Sequence, residues 1–155
     1  MRPAIALILL FMTLPTLAAS IKDRIYGQAT VSEVTSIYDA DTFRVNIADW
    51  PHVVGERIPI RVVGVDAPEI RGKCEREKKR ARAAKQFTVD FLRSARSIEL
   101  RNIKRGKYFR LLAEVWVDGK NLSEELIRAG HARPYDGGTR GGWCGEDTAG
   151  PAEGR

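Results

Sequence analysis

The stretch from Arg61 to Glu69, RVVGVDAPE, constrains this chain more than any other. Its apolar run at 62–65 is rich in β-branched residues and reads as a buried strand. Pro68 cannot donate to a ladder, and it pushes Ala67 toward extended backbone, so the strand ends at Asp66. Asp66 and Glu69 therefore stand on stiff backbone at a strand end, with the guanidinium of Arg61 on the same element. A second acidic pair, Asp39 and Asp41 in YDADTFRV, stands where a turn meets a strand. Carboxylate clusters and arginines on rigid elements suit a hard metal ion and an anionic substrate.

Residues 1–19 are set apart from the fold. Arg2 gives a positive start, an apolar run follows, Pro15 breaks it, and Ala18 and Ala19 offer small residues to a signal peptidase. This is the pattern of a secretory signal peptide, too short for a spanning helix, with cleavage near Ala18/Ala19. Loss of Arg2 takes the formal charge from +6 to +5, still basic, which suits a polyanionic partner. The expected location is periplasmic or secreted. In such an oxidising compartment the two cysteines, Cys74 and Cys144, are expected to pair. Closing so long a loop contributes roughly 4 kcal/mol in the chain-entropy model. With two cysteines and two histidines, His52 and His131, a structural zinc site is not expected.

The remainder divides into one domain over residues 20–135 and a glycine-rich tail over 136–155, stapled by Cys144 and held by Trp143. Alternating apolar residues predict strands on both sides of the acidic turn, with Phe43, Val45 and Ile47 on the second. Further strands are predicted over 58–65, 98–103 and 111–117. Asp49, Trp50, Pro51 and Gly55 mark a loop. Ala84, Thr88, Phe91 and Ala95 fall at helical spacing within a predicted helix over 74–95. Asn121, with Glu124 three residues on, signals the start of a short helix that Gly130 would end. The expected fold is α+β: a five-stranded oligonucleotide-binding β-barrel with one helix after strand three and a short C-terminal helix.

Each polar residue of the acidic clusters also has a plain structural reading. Asp39 and Asp41 shape a turn, Asp66 ends a strand, and Glu69 pairs at the surface with Arg71 or Lys73. The chemical reading needs them together. Asp41 and Asp66, with a backbone carbonyl beside Asp66, supply oxygen ligands for calcium. Glu69, a carboxylate three residues past Asp66, can take a proton from attacking water. Arg61 lies in an otherwise apolar strand, an unfavourable place for an unpaired charge, and Arg110 leads directly into another. Planar guanidinium groups can hold two oxygens of a phosphodiester at once. Lys107 and Tyr108 place an ammonium and a ring where a nucleotide can meet them.

Three motifs, in order, carry a resemblance to the staphylococcal (micrococcal) nuclease family. DADTFRV resembles its D-G-D-T segment, RVVGVDAPE its R-L-x-x-V-D-T/A-P-E segment, and KYFRLLAEVWVDGK the stretch that begins K-Y-G-R-x-L-A. The resemblance implies calcium held by Asp41, Asp66 and the Ala67 carbonyl, and catalysis by Arg61, Glu69 and Arg110. It implies substrate phosphate contacts at Lys107 and Tyr108, and cleavage of DNA and RNA to leave 3′-phosphate ends. A monomer without lasting membrane association is expected, and the alternative is a nucleic-acid-binding module of the same fold with weak or no chemistry. The chain departs from the family pattern at Ala40 and Phe109, which replace turn glycines, and at Gly106, where relatives often carry aspartate. After Arg133 neither the family's third helix nor its phosphate-contacting tyrosine is found.

Overall fold

The computed structural model describes residues 24–145; the predicted signal peptide and the last residues of the predicted tail lie outside them. The elements run β1 (Ala29–Thr30), β2 (Glu33–Asp39), β3 (Thr42–Asn46), α1 (His52–Gly55), β4 (Ile58–Val62) and β5 (Gly64–Asp66). They continue with α2 (Glu75–Arg93), β6 (Ile98–Arg105), β7 (Leu111–Val117), β8 (Lys120–Asn121), α3 (Leu122–Arg128) and β9 (Arg133–Tyr135). The class is α+β. Seven strands form one sheet in the order β1-β6-β7-β4-β3-β2, with β8 on the flank of β7. Its two outer strands are neighbours in the chain. β1 pairs with β6 and β2 with β3, and between them Val31 N–H reaches Ile98 O while Ser32 N–H reaches Asn46 O. The sheet is thus drawn into a curl at that bend.

Inside the curl lie the alternate residues that period-two patterning predicts. Phe43, Val45, Ile60, Val62, Leu100, Ala113 and Val115 are all nearly or fully buried. β4 runs parallel to β7, with Arg61 opposite Leu112, so Arg61 faces away from the core between the buried Ile60 and Val62.

Three expectations differ in detail. The predicted strand over 58–65 is two elements, because Gly64 adopts φ +84 and turns the chain out of the main sheet. β5 then pairs antiparallel with β9, Asp66 opposite Arg133, which draws the start of the tail beside the acidic corner. The loop marked by Asp49, Trp50, Pro51 and Gly55 contains the four-residue helix α1, with Pro51 as its N-cap. The strand count exceeds five because the short β1, β5, β8 and β9 register as separate elements.

The long helix forms where predicted, but of the expected stripe only Ala84 and Thr88 are buried, while Phe91 and Ala95 are partly buried. Cys74 is its N-cap, accepting from Glu77 N–H, and Ala81, Ala84, Thr88 and Leu92 form its buried stripe. Phe87 stacks on Phe91 and meets the His131 ring at 5.1 Å. Burial there lowers the His131 pKa. Asn121 caps α3 through Ser123 N–H, and Gly130 follows it at φ +71.

One contact couples α2 to the acidic turn. The fully buried Thr88 donates its hydroxyl to Ala40 O at 2.8 Å. Thr88→Val removes that donor with little change in volume and leaves the carbonyl unpaired, so it is expected to cost about 1–2 kcal/mol in urea unfolding.

Candidate active site

The acidic turn is built for rigidity. Ala40 is fully buried and is not among the left-handed residues, so a methyl group fills the position where the family pattern has glycine. Asp41 is 1 % exposed. Its Oδ1 accepts from Thr42 Oγ1 at 2.9 Å and from Arg61 Nη1 at 2.5 Å. Its main-chain carbonyl accepts from Val62 N–H at 2.9 Å, tying the turn to β4. Asp39, also buried, accepts from Ile70 N–H at 3.2 Å, which joins this turn to the corner after Asp66.

Burial dominates the electrostatics of this turn. Desolvation raises the Asp41 pKa, opposed chiefly by Arg61 and then by the Thr42 hydroxyl. It raises Asp39 as well, opposed by the Ile70 amide. Desolvation lowers Arg61, opposed by Asp41, while Arg140 and Arg110 add to the lowering. Two further guanidinium groups therefore act on the same spot.

The second carboxylate group stands on β5 and the loop beyond it. Asp66 is 4 % exposed, and Ala67 and Pro68 are buried beside it. Asp66 Oδ2 accepts from Trp143 Nε1 at 3.1 Å and from Arg133 Nη2 at 3.3 Å, and its Oδ1 lies 3.5 Å from Arg140 Nε. Glu69 is exposed, and its partner is neither Arg71 nor Lys73: its Oε1 accepts from Arg140 Nη1 at 2.9 Å. Behind this corner the buried Glu77, at the start of α2, accepts from Lys73 N–H at 3.0 Å and Glu69 N–H at 3.4 Å.

Arg110 directly precedes β7 and closes the other flank. With Thr42, Arg44, Lys107 and Tyr108 it lines a cavity of about 400 Å³. Tyr108 and Phe109 both take left-handed backbone, φ 57 and 60, and hold their rings in solvent at 92 % and 76 % exposure. Gly106 is required by packing, since a Cβ there would lie 2.7 Å from Arg110 O. A side chain such as aspartate would push the arginine's own backbone aside.

Among the described residues, three buried side-chain polar atoms have no hydrogen-bond partner: Asp41 Oδ2, Arg61 Nη2 and Arg110 Nε. All three belong to the predicted constellation. One acceptor and two donors are left over where oxygen-binding metal and phosphate chemistry was expected, and buried polar atoms rarely go unpaired without a reason. Among the described residues, Cys74, Glu77 and Cys144 also come close together, but this is not a metal site, because the sulfurs are joined in a disulfide.

Residues 59–140 match the family model described as staphylococcal nuclease homologue. The chain belongs to this family. The matched range takes in Arg61, Asp66, Glu69, Lys107, Tyr108 and Arg110 and ends on Arg140; Asp41 precedes it and is joined to it by the Arg61 ion pair. The chain is 30% identical over 129 residues to a probable endonuclease of Pyrenophora tritici-repentis, covering 69% of this chain and 47% of that protein. It is 29% identical over 136 residues to a probable endonuclease of Podospora anserina, covering 74% and 49%. The chain spans about half the length of the curated relatives it matches.

Sequence reasoning missed Arg133, Arg140 and Glu77. The predicted pairing of Cys74 with Cys144 was the available signal for the first two: it brings the tail to the start of α2, directly after the acidic corner. Tyr135, in β9, donates its hydroxyl to Gly138 O at 2.8 Å.

Proposed function

We propose that this chain is an exported, calcium-dependent nuclease of the staphylococcal nuclease family that hydrolyses DNA and RNA to leave 3′-phosphate ends. Nuclease activity is in keeping with the family match and with relatives named as probable endonucleases. The observation that carries the reading is the trio of buried atoms without partners, Asp41 Oδ2, Arg61 Nη2 and Arg110 Nε. We read the curled sheet as a five-stranded oligonucleotide-binding barrel, with β1 and β2 as one bent strand that pairs on both sides.

The donor set fits calcium: two buried carboxylates, Asp41 with an oxygen to spare and Asp66, and the backbone carbonyl of Ala67. Bound there, the ion would act as Lewis acid and template for a phosphodiester and water. Arg61 and Arg110 donate from Nη2 and Nε to the oxygens on which negative charge builds. Arg61 is already oriented by Asp41 and Thr42, so little freedom is lost when phosphate binds. A Glu69 carboxylate oxygen accepts a proton from the attacking water. Water oxygen joins phosphorus as the bond to the 5′-oxygen breaks, giving a 3′-phosphate and a 5′-hydroxyl. Lys107 and Tyr108 hold a neighbouring phosphate and base beside Arg110.

Digestion of a defined single-stranded oligonucleotide, followed by end-group analysis, tests the reading. Fragments are expected to resist polymerase extension until phosphatase removes a 3′-phosphate. Fragments that are extendable without phosphatase would refute the proposed direction of attack.

A further inference from the structure

Residues 136–145 form a strap across the acidic corner, and several independent contacts hold it there. Cys74 and Cys144 are disulfide-bonded. Arg76 Nη1 donates to Gly145 O at 2.9 Å, and Arg133 Nη2 donates to Gly141 O at 2.9 Å. The Arg133 guanidinium also lies 3.8 Å from the Trp143 ring centroid. With Asp66, Ala67 and Glu69 the strap encloses a cavity of about 330 Å³.

What the strap delivers to this cavity is Arg140. Its guanidinium lies between both carboxylates: Nη1 donates to Glu69 Oε1 at 2.9 Å, and Nε forms an ion pair with Asp66 Oδ1 at 3.5 Å. Its charge also acts on Asp41 and Arg61. The side chain is 40 % exposed, so it can leave without unpacking the core. A planar guanidinium also has the fork geometry to bridge two phosphate oxygens.

We propose that Arg140 is a third phosphate-binding arginine, held on Asp66 and Glu69 in the metal-free protein and released to the substrate phosphate when a divalent cation takes Asp66. The inference rests on the metal reading above. Arg140 and the ion compete for the same negative charge, so each weakens the other's hold, and the coupling is reciprocal. Once freed, the guanidinium stays near the site because the disulfide tethers the strap. Metal binding and substrate binding thereby become ordered, the first making available a donor for the second.

The test is calorimetric titration of calcium chloride into the disulfide-bonded protein and its Arg140→Ala and Arg140→Lys variants, followed by titration of a nucleoside 3′,5′-bisphosphate at saturating calcium. Arg140→Ala should bind calcium about tenfold more tightly and the bisphosphate about tenfold more weakly, within the usual range of such couplings. Arg140→Lys should restore most of the competition with calcium but little of the bisphosphate affinity, because an ammonium lacks the fork. Terbium luminescence sensitised by Trp143, whose indole nitrogen lies 3.1 Å from Asp66 Oδ2, should report an ion at this corner. Effects of opposite sign are what a merely structural strap would not produce. Unchanged calcium affinity in Arg140→Ala, or a fall in both affinities together, would overturn the inference while leaving the metal site standing. Absence of calcium binding in all three proteins would overturn the metal reading and this inference together.

Discussion

Replacing Arg110 with alanine is expected to lower phosphodiester turnover by about 10³-fold, the usual scale for loss of one positioned donor to a developing charge. The fold should be little affected. Asp41 and Asp66 keep their own guanidinium partners, Arg61 and Arg133, and no buried carboxylate is left alone. Arg110 Nε has no hydrogen-bond partner to lose. Initial rates on a single-stranded oligonucleotide, paired with thermal unfolding followed by circular dichroism, separate the two effects. Near-normal turnover in a folded variant would remove Arg110 from the catalytic set.

Arg61→Ala should behave differently, and the contrast follows from burial. The side chains of Arg61 and its partner Asp41 are 13 % and 2 % exposed. Removing one member of such a pair strands the other, at about 3–5 kcal/mol. Turnover should collapse, but so should much of the stability, and the second loss obscures the first. Adding Asp41→Asn to the Arg61→Ala background removes the stranded charge. It should recover a large part of the stability and none of the activity.

The pH dependence has a definite sign. Burial already raises the Asp41 pKa against the pull of Arg61, and loss of Arg61 raises it further. The folded variant then holds a proton that the unfolded chain releases above its ordinary value of 3.8, so stability falls as pH rises past that point. Urea unfolding of Arg61→Ala in chelator should show a penalty that is small at pH 3.5 and largest near neutrality. A penalty independent of pH would mean that Asp41 is not the group left stranded.

The backbone that carries the acidic corner was legible in the sequence, and the reasons are local. The β-branched run before Asp66 and the proline at Pro68 announce a strand end through backbone chemistry alone. The apolar stripe of α2 and the Asn121 cap follow from helical spacing and side-chain geometry. The predicted staple between Cys74 and Cys144 is present. What stayed hidden depended on long-range geometry. A glycine at position 64 signals freedom but not direction, so the pairing of β5 with β9 could not be read. The strap has no periodicity, hence nothing marks which of its side chains turns inward, and Arg133 and Arg140 went unassigned. Glu77 looked like one more charge on a solvated helix, whereas its place in the first turn of α2 sets it under the amides of Lys73 and Glu69. The departures at Ala40 and Gly106 are resolved by packing, since one methyl fills the core and the missing Cβ makes room for Arg110 O.

The constellation is therefore two buried acids, Asp41 with an unpaired oxygen and Asp66, and two arginines each with an unpaired nitrogen, flanked by an exposed glutamate. The most direct measurement is cleavage of plasmid DNA by the purified protein in calcium, in chelator, and in chelator followed by excess calcium. The account predicts degradation to short fragments in calcium, none in chelator, and full recovery on adding the ion back. DNA retarded but left intact in calcium, or cleaved equally in chelator, would contradict it.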